Sequence, residues 1–157
     1  MNVHDLKNLQ ALRELREQRA SSQLAAQRQR CRESHAALDD ARERLRQHRE
    51  ASAREAEKLY GRFSEGLSVK AWLAVELRLA ELEDDQQSLL GSLDDAHQRH
   101  AEQEASRETL RVAHAARQRQ ADAWDAMVQR HAQGERRAGE LREEADDLFA
   151  PLSDIAP

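Results

Sequence analysis

One stripe of residues has the types and spacing of a metal site. Carboxylate and imidazole groups recur every three or four residues at Asp94, His97, His100 and Glu104. Such groups on one helix face can bind a divalent cation when a second helix adds ligands. The segment that we expect to face them contains Arg30, Arg32 and His35, which would repel a cation. We therefore favour an exposed polar stripe and predict no metal site.

The single cysteine, Cys31, is the other candidate for chemistry, because Arg30 and Arg32 flank it. Positive neighbours can activate a thiol, but a cysteine on a helix seam is typically an inert apolar residue, and one cysteine cannot form an internal disulfide. The sequence has no glycine-rich phosphate loop, nucleophile elbow or paired-cysteine zinc motif. We predict a protein that is not an enzyme, with no catalytic residue and no cofactor.

The composition favours long helices over a globular core. Of the 157 residues 35% are charged and only 3% are aromatic, and there are two prolines. Alanine, glutamate, arginine, glutamine and leucine dominate, as in coiled coils. A disordered chain is the competing interpretation, but the apolar residues recur with a helical period and nearly all residues are good helix formers.

The charge distribution limits the possible partners. Residues 1–65 hold 14 basic against 11 acidic residues, whereas residues 66–157 hold 11 against 19. Without a clustered basic face in the second half, we predict no nucleic-acid binding. We find no apolar run typical of a signal peptide or a membrane span, so we predict a cytoplasmic protein without direct membrane insertion.

Two helices and a turn are predicted from the helix-breaking residues. Gly61 and Gly66 interrupt the first helical pattern, and Ser68 can cap a second helix. We predict a single coiled-coil hairpin over residues 1–157, all-α, with two long antiparallel helices. Its parts are helix 1 at about 3–62, a turn at about 63–68, helix 2 at about 69–149 and a tail at 150–157.

A seven-residue repeat sets the expected register of the two helices. One antiparallel alignment gives the facing pairs Leu59 with Val75, Ser52 with Leu82, Leu45 with Leu89, Leu38 with Ala96, Cys31 with Gln103, and Leu24 with Leu110. In this alignment helix 2 extends past the N-terminus from residue 132 onward. We expect a monomeric rod when the chain is isolated.

The turn region resembles the central stalk proteins of bacterial type III secretion, which include the flagellar FliJ and the injectisome proteins YscO and SctO. The likeness rests on Glu57–Tyr60, the Gly66-Leu67-Ser68 turn, Trp72 and the Leu82–Glu83 step. It implies a non-enzymatic stalk that links the hexameric secretion ATPase to the cytoplasmic domain of the export gate and, in some members, to export chaperones. It also implies a site at the cytoplasmic face of the inner-membrane apparatus, and a role in virulence for an injectisome member.

The resemblance also assigns the ends of the hairpin. It implies an ATPase-facing set near the termini, consisting of Leu6, Leu9, Trp124 and Met127. It implies an export-gate-facing set near the turn, consisting of Trp72, Leu79, Leu82 and Glu83. Relatives carry a phenylalanine in the gate-binding face at about the position of Arg78, so here we expect Trp72 and the neighbouring leucines to provide that contact.

Two other functions fit a polar helical hairpin. One is a regulator that inserts its coiled-coil tip into a transcription or translation machine, although this tip offers Glu65 as its one acidic residue beside Arg62 and Lys70. The other is a generic coiled-coil spacer that forms dimers. Light scattering separates a monomeric stalk from an obligate dimer.

Overall fold

The computed structural model describes residues 2–149, which form two helices, α1 (Val3–Ser64) and α2 (Val69–Leu148). The helices pack against each other, and the described residues contain no strand. The predicted all-α class is therefore confirmed. The predicted tail at 150–157 lies outside the described residues.

Local hydrogen bonds explain where the helices end. Gly66 has a φ of 84°, a left-handed conformation that glycine adopts without steric cost. This residue reverses the chain after α1 and leads it into the turn. Ser68 caps α2, because the Ala71 N–H donates to its Oγ at 3.2 Å. Gly61 remains inside α1, which continues to Ser64 rather than ending near residue 62.

The chain divides into two compact units, each with one segment of each helix. The terminal unit contains the described residues 2–22 and 112–149. The turn unit contains residues 23–111. The two units are described separately below.

In the turn unit, the predicted seven-residue series forms the buried seam. The buried apolar residues are Leu24, Cys31, Leu38, Leu45, Leu59, Val75 and Leu82. Cys31 Sγ lies 3.2 Å from the carbonyl oxygen of Gln103, which confirms that predicted pair. Leu59 and Val75 line one shallow cavity, as their predicted pairing requires.

A polar layer interrupts this seam. Gln27 is 3% exposed, and its Nε2 donates to Gln103 Oε1 at 2.7 Å and to the Gln103 carbonyl oxygen at 3.0 Å. Next to it, Ser34 Oγ lies 2.9 Å from His100 Nδ1. Buried polar groups stay buried only when they are hydrogen-bonded, so this layer favours one register of the two helices.

The terminal unit has a weaker seam. Gln10 Nε2 donates to Asp125 Oδ1 at 3.5 Å, and Arg13 donates to the carbonyl oxygen of Gln120 at 3.4 Å. Ala20 is the buried apolar residue among the described residues of this unit. The α1 leucines here are spaced by three, so they drift around the helix and Leu15 stays 48% exposed.

Candidate partner-binding surfaces

The terminal unit carries an apolar group that we name the Trp124 cluster: Leu6, Trp124, Met127 and Val128. These residues line an open cavity of about 280 Å³ together with Arg130 and His131. Leu6 comes from α1 and the others from α2, so the antiparallel packing of the two segments forms the site. The cavity is large enough to accept an apolar side chain from a partner.

The indole of Trp124 is the centre of this cluster. The Arg13 guanidinium lies 4.3 Å above the ring, which is a favourable cation–π distance. The indole Nε1 is buried and has no hydrogen-bond partner among the described residues. Buried donors are normally paired, so this N–H is an unsatisfied polar group inside the terminal unit.

Two of the predicted ATPase-facing residues are open to solvent. Met127 is 57% exposed and Leu9 is 38% exposed, while Leu6 and Trp124 are half-buried. The structure thus brings Leu6, Trp124 and Met127 to one cavity, and leaves Leu9 outside its lining. Their assignment to an ATPase stays a prediction.

The turn unit carries a second exposed apolar surface, which we name the turn stripe. It consists of Val69, Trp72, Leu73 and Leu77, which are 76%, 42%, 54% and 63% exposed. Their spacing of three and four residues places them along one side of α2. An apolar face of this kind on a helix is typical of a protein interaction site.

The predicted gate-facing residues differ in how far α1 covers them. Trp72 and Glu83 are exposed, Leu79 is half-buried, and Leu82 is buried at 9% exposure. The α1 residue His48 donates from Nε2 to the carbonyl oxygen of Leu82 at 3.1 Å. The part of α2 around Leu82 therefore faces α1. The expectation of leucines next to Trp72 did not single out Leu73 and Leu77, although Val69, Leu73 and Leu77 follow one another at four-residue intervals.

Arg78, at the position where the resemblance implies a phenylalanine, forms an ion pair with Glu55 that joins the two helices of the turn unit. Its guanidinium donates to both Glu55 carboxylate oxygens at 2.6 and 3.1 Å, and to Glu81 at 3.2 Å. Hydrogen bonding from Arg78 holds the pKa of Glu55 below its ordinary value. Arg78 therefore contributes to packing between the helices.

The geometry of the described residues supports neither a reactive Cys31 thiol nor a metal site at the polar stripe of Asp94, His97, His100 and Glu104. Burial, together with the nearby Glu104 carboxylate, raises the pKa of the Cys31 thiol, which makes it a poor nucleophile at neutral pH. The centroid of the His100 ring lies 5.4 Å from that of the His35 ring, and the two rings are tilted by 37°. Across residues 2–149, no three histidine, cysteine or carboxylate side chains converge to hold a metal ion.

Among the described residues, no helix is long and apolar enough to cross a membrane.

The chain was compared with curated proteins, solved structures and family models. Curated proteins and solved structures give no match to the chain. The family model described as type III secretion protein YscO matches residues 6–147, which include both surfaces and the turn between the helices. The chain therefore belongs to the YscO family of type III secretion proteins.

Proposed function

We propose that this protein is a non-enzymatic stalk of a type III secretion apparatus, linking the hexameric export ATPase to the export gate on the cytoplasmic side of the membrane. The family membership supports the apparatus. The observation that carries the specific role is that each compact unit exposes its own apolar surface, the Trp124 cluster in one and the turn stripe in the other. A linker needs two such separate surfaces.

The Trp124 cluster is the better candidate for the ATPase. Tryptophan, methionine and arginine are enriched at the centres of protein interfaces. Here an indole with an unpaired N–H, an exposed Met127 and the Arg13 guanidinium lie together beside an open cavity. A ring subunit that inserts an apolar side chain beside Met127 and offers a carboxylate to Arg13 would fit this surface.

The turn stripe is the better candidate for the export gate. Trp72 provides an aromatic anchor, and Leu73 and Leu77 extend the apolar face along α2. Our proposal is that Val69, Trp72, Leu73 and Leu77 contact the gate. Glu83 is exposed further along the helix, and Leu82 is buried against α1. Export chaperones are the alternative occupants of the same stripe.

The two tryptophans provide a matched test. We expect Trp124→Ala to weaken binding to a purified secretion-type ATPase hexamer, and to weaken any stimulation of hydrolysis, while leaving binding to the gate domain unchanged. We expect Trp72→Ala to weaken binding to the gate domain and to leave binding to the ATPase hexamer unchanged. Both effects are measured by pull-down and by an ATPase assay with the full chain.

Met127→Ala separates binding from folding, because Met127 is largely exposed and its removal should not disturb the helices. It should weaken ATPase binding in the same direction as Trp124→Ala, with an unchanged circular dichroism spectrum. If neither substitution affects a complex that the wild type forms, the assignment of this unit to the ATPase is wrong. If the wild type binds neither partner, the stalk proposal itself fails.

A further inference from the structure

The last part of α2 has no helical partner among residues 2–149, which the structure describes. α1 begins at Val3, and Leu6 already shares its cavity with Val128 and His131, so no α1 residue faces α2 beyond that point. Residues 133–138 and 140–149 are all exposed. Leu141, Leu148 and Phe149 are 65%, 84% and 86% exposed. A helix this exposed and this apolar along one side normally packs against something.

The apolar residues of this segment form a heptad seam. The seam positions recur at alternating intervals of three and four residues. They are His131, Gly134, Ala138, Leu141, Ala145 and Leu148, and all but His131 are small or apolar. Four charged residues flank the seam, namely Glu135, Arg137, Arg142 and Glu144. All four are exposed, and among the described ion pairs the one that involves them is a 3.9 Å contact between His131 and Glu135.

We propose that this seam binds the same seam of a second copy of the chain, as an antiparallel two-fold pair centred between Ala138 and Leu141. In this register Ala138 packs on Leu141 of the second copy, and by symmetry Leu141 packs on Ala138. The pairing goes beyond the proposed stalk function and does not rest on it. The dimer and the ATPase-bound chain are alternative states, because both would fill the cavity of the Trp124 cluster.

The flanking charges favour this register. Residues that flank the seam on the same side pair with each other across an antiparallel interface. Glu135 then lies opposite Arg142 of the second copy, and Arg137 lies opposite Glu144. Two-fold symmetry repeats both pairs, so all four flanking positions meet an opposite charge.

The same charges disfavour the alternatives. A shift of one copy by one heptad in either direction would bring Arg142 opposite Arg142, or Glu135 opposite Glu135. A parallel pair would place Arg137 against Arg142. Like charges at these positions destabilise a coiled coil, so the sequence selects one antiparallel arrangement.

The cavity of the Trp124 cluster supports the register independently. Continuing the same pairing brings Phe149 of one copy opposite Val128 of the other, and Leu148 opposite His131. Val128 and His131 both line the open cavity of about 280 Å³. The exposed Phe149 ring would therefore enter an apolar cavity at each end of the interface. An interface this short falls in the weak class, so the dimer should be reversible.

Charge reversal tests the proposal with the full chain in sedimentation-velocity experiments over a concentration series. The wild type should form a reversible dimer. Glu135→Arg with Glu144→Arg makes every flanking residue positive, and Arg137→Glu with Arg142→Glu makes every one negative. Each double variant should weaken dimerisation by at least about tenfold. An equimolar mixture of the two should restore it, because all four pairs again join opposite charges.

The matched control is Glu140→Arg with Glu143→Arg, which makes the same charge change on residues pointing away from the seam and should dimerise like the wild type. Phe149→Ala should weaken the dimer without altering helix content. The proposal is overturned if the wild type stays monomeric, as expected of an isolated stalk, or if it forms larger oligomers. It is also overturned if the dimer survives both charge variants, or if the segment binds only the ATPase ring.

Discussion

The turn unit and the terminal unit consist of the same two helices, but they differ in how many apolar side chains they bury between them. The turn unit buries seven apolar side chains along its seam and fixes their register with the Gln27–Gln103 layer and the Arg78–Glu55 ion pair. The terminal unit buries Ala20 and leaves Leu12, Leu15 and Met127 between 44% and 57% exposed. Both units expose apolar surface, but the turn unit also has a continuous buried seam between its helices, whereas the terminal unit has little buried apolar surface.

The difference follows from the spacing of the leucines. In the turn unit the α1 apolar residues recur every seven positions and stay on one face of the helix. Near the N-terminus they recur every three positions, and each step rotates them away from α2. The two units therefore differ in how much apolar surface they bury between α1 and α2, although both consist of the same two helices.

The largest expected effect comes from a matched pair of leucine substitutions. Leu45 is 5% exposed in the turn unit, and Leu12 is 44% exposed in the terminal unit. Leu45→Ala should lower the free energy of unfolding by about 2–3 kcal/mol, near the low end for buried leucines because a two-helix seam can partly collapse. Leu12→Ala should lower it by less than about 1 kcal/mol. Urea denaturation measures both, and equal losses would contradict the comparison.

The polar layer gives the next largest effect. Gln27→Ala removes the donor that pairs with both oxygens of Gln103, and should lower the free energy of unfolding by about 1–2 kcal/mol. Replacing both residues by leucine should restore stability or raise it, because a well-packed apolar pair has no polar group to satisfy. Gln23→Ala, on the exposed side of the same helix, is the control and should have little effect. A double-leucine variant less stable than Gln27→Ala would show that the layer contributes more than its hydrogen bonds.

The all-α class and the buried seam could be predicted because both depend on periodicity. Leu24, Leu38 and Leu45 stand at seven-residue intervals, and this spacing alone places them on a common face. The Cys31–Gln103 pair follows from the same alignment. The cap at Ser68 was readable because a serine before a helical pattern has few other roles.

The partner-binding surfaces were harder to predict because exposure depends on which side of a helix the second helix covers. Leu79 and Leu82 were chosen for the gate from a family likeness, yet α1 covers Leu82, while Leu73 and Leu77 remain outside. The Gln27 layer was missed for a related reason. A glutamine has no apolar signal, and only its partner on the facing helix makes burial favourable.

The smallest expected change in the free energy of unfolding comes from two glycine substitutions, one in each unit. Gly91 in the turn unit and Gly139 in the terminal unit both lie inside α2, and an added methyl group would meet no atom within 4 Å at either. Alanine favours a helix over glycine by about 0.8–1 kcal/mol. Gly91→Ala should raise the free energy of unfolding by up to about that amount, because this part of α2 unfolds together with α1. Gly139→Ala should leave the unfolding midpoint unchanged and raise only local protection from amide hydrogen exchange, because α2 faces no α1 residue there. An equal rise in the midpoint for both variants would mean that the last part of α2 folds cooperatively with the rest of the chain.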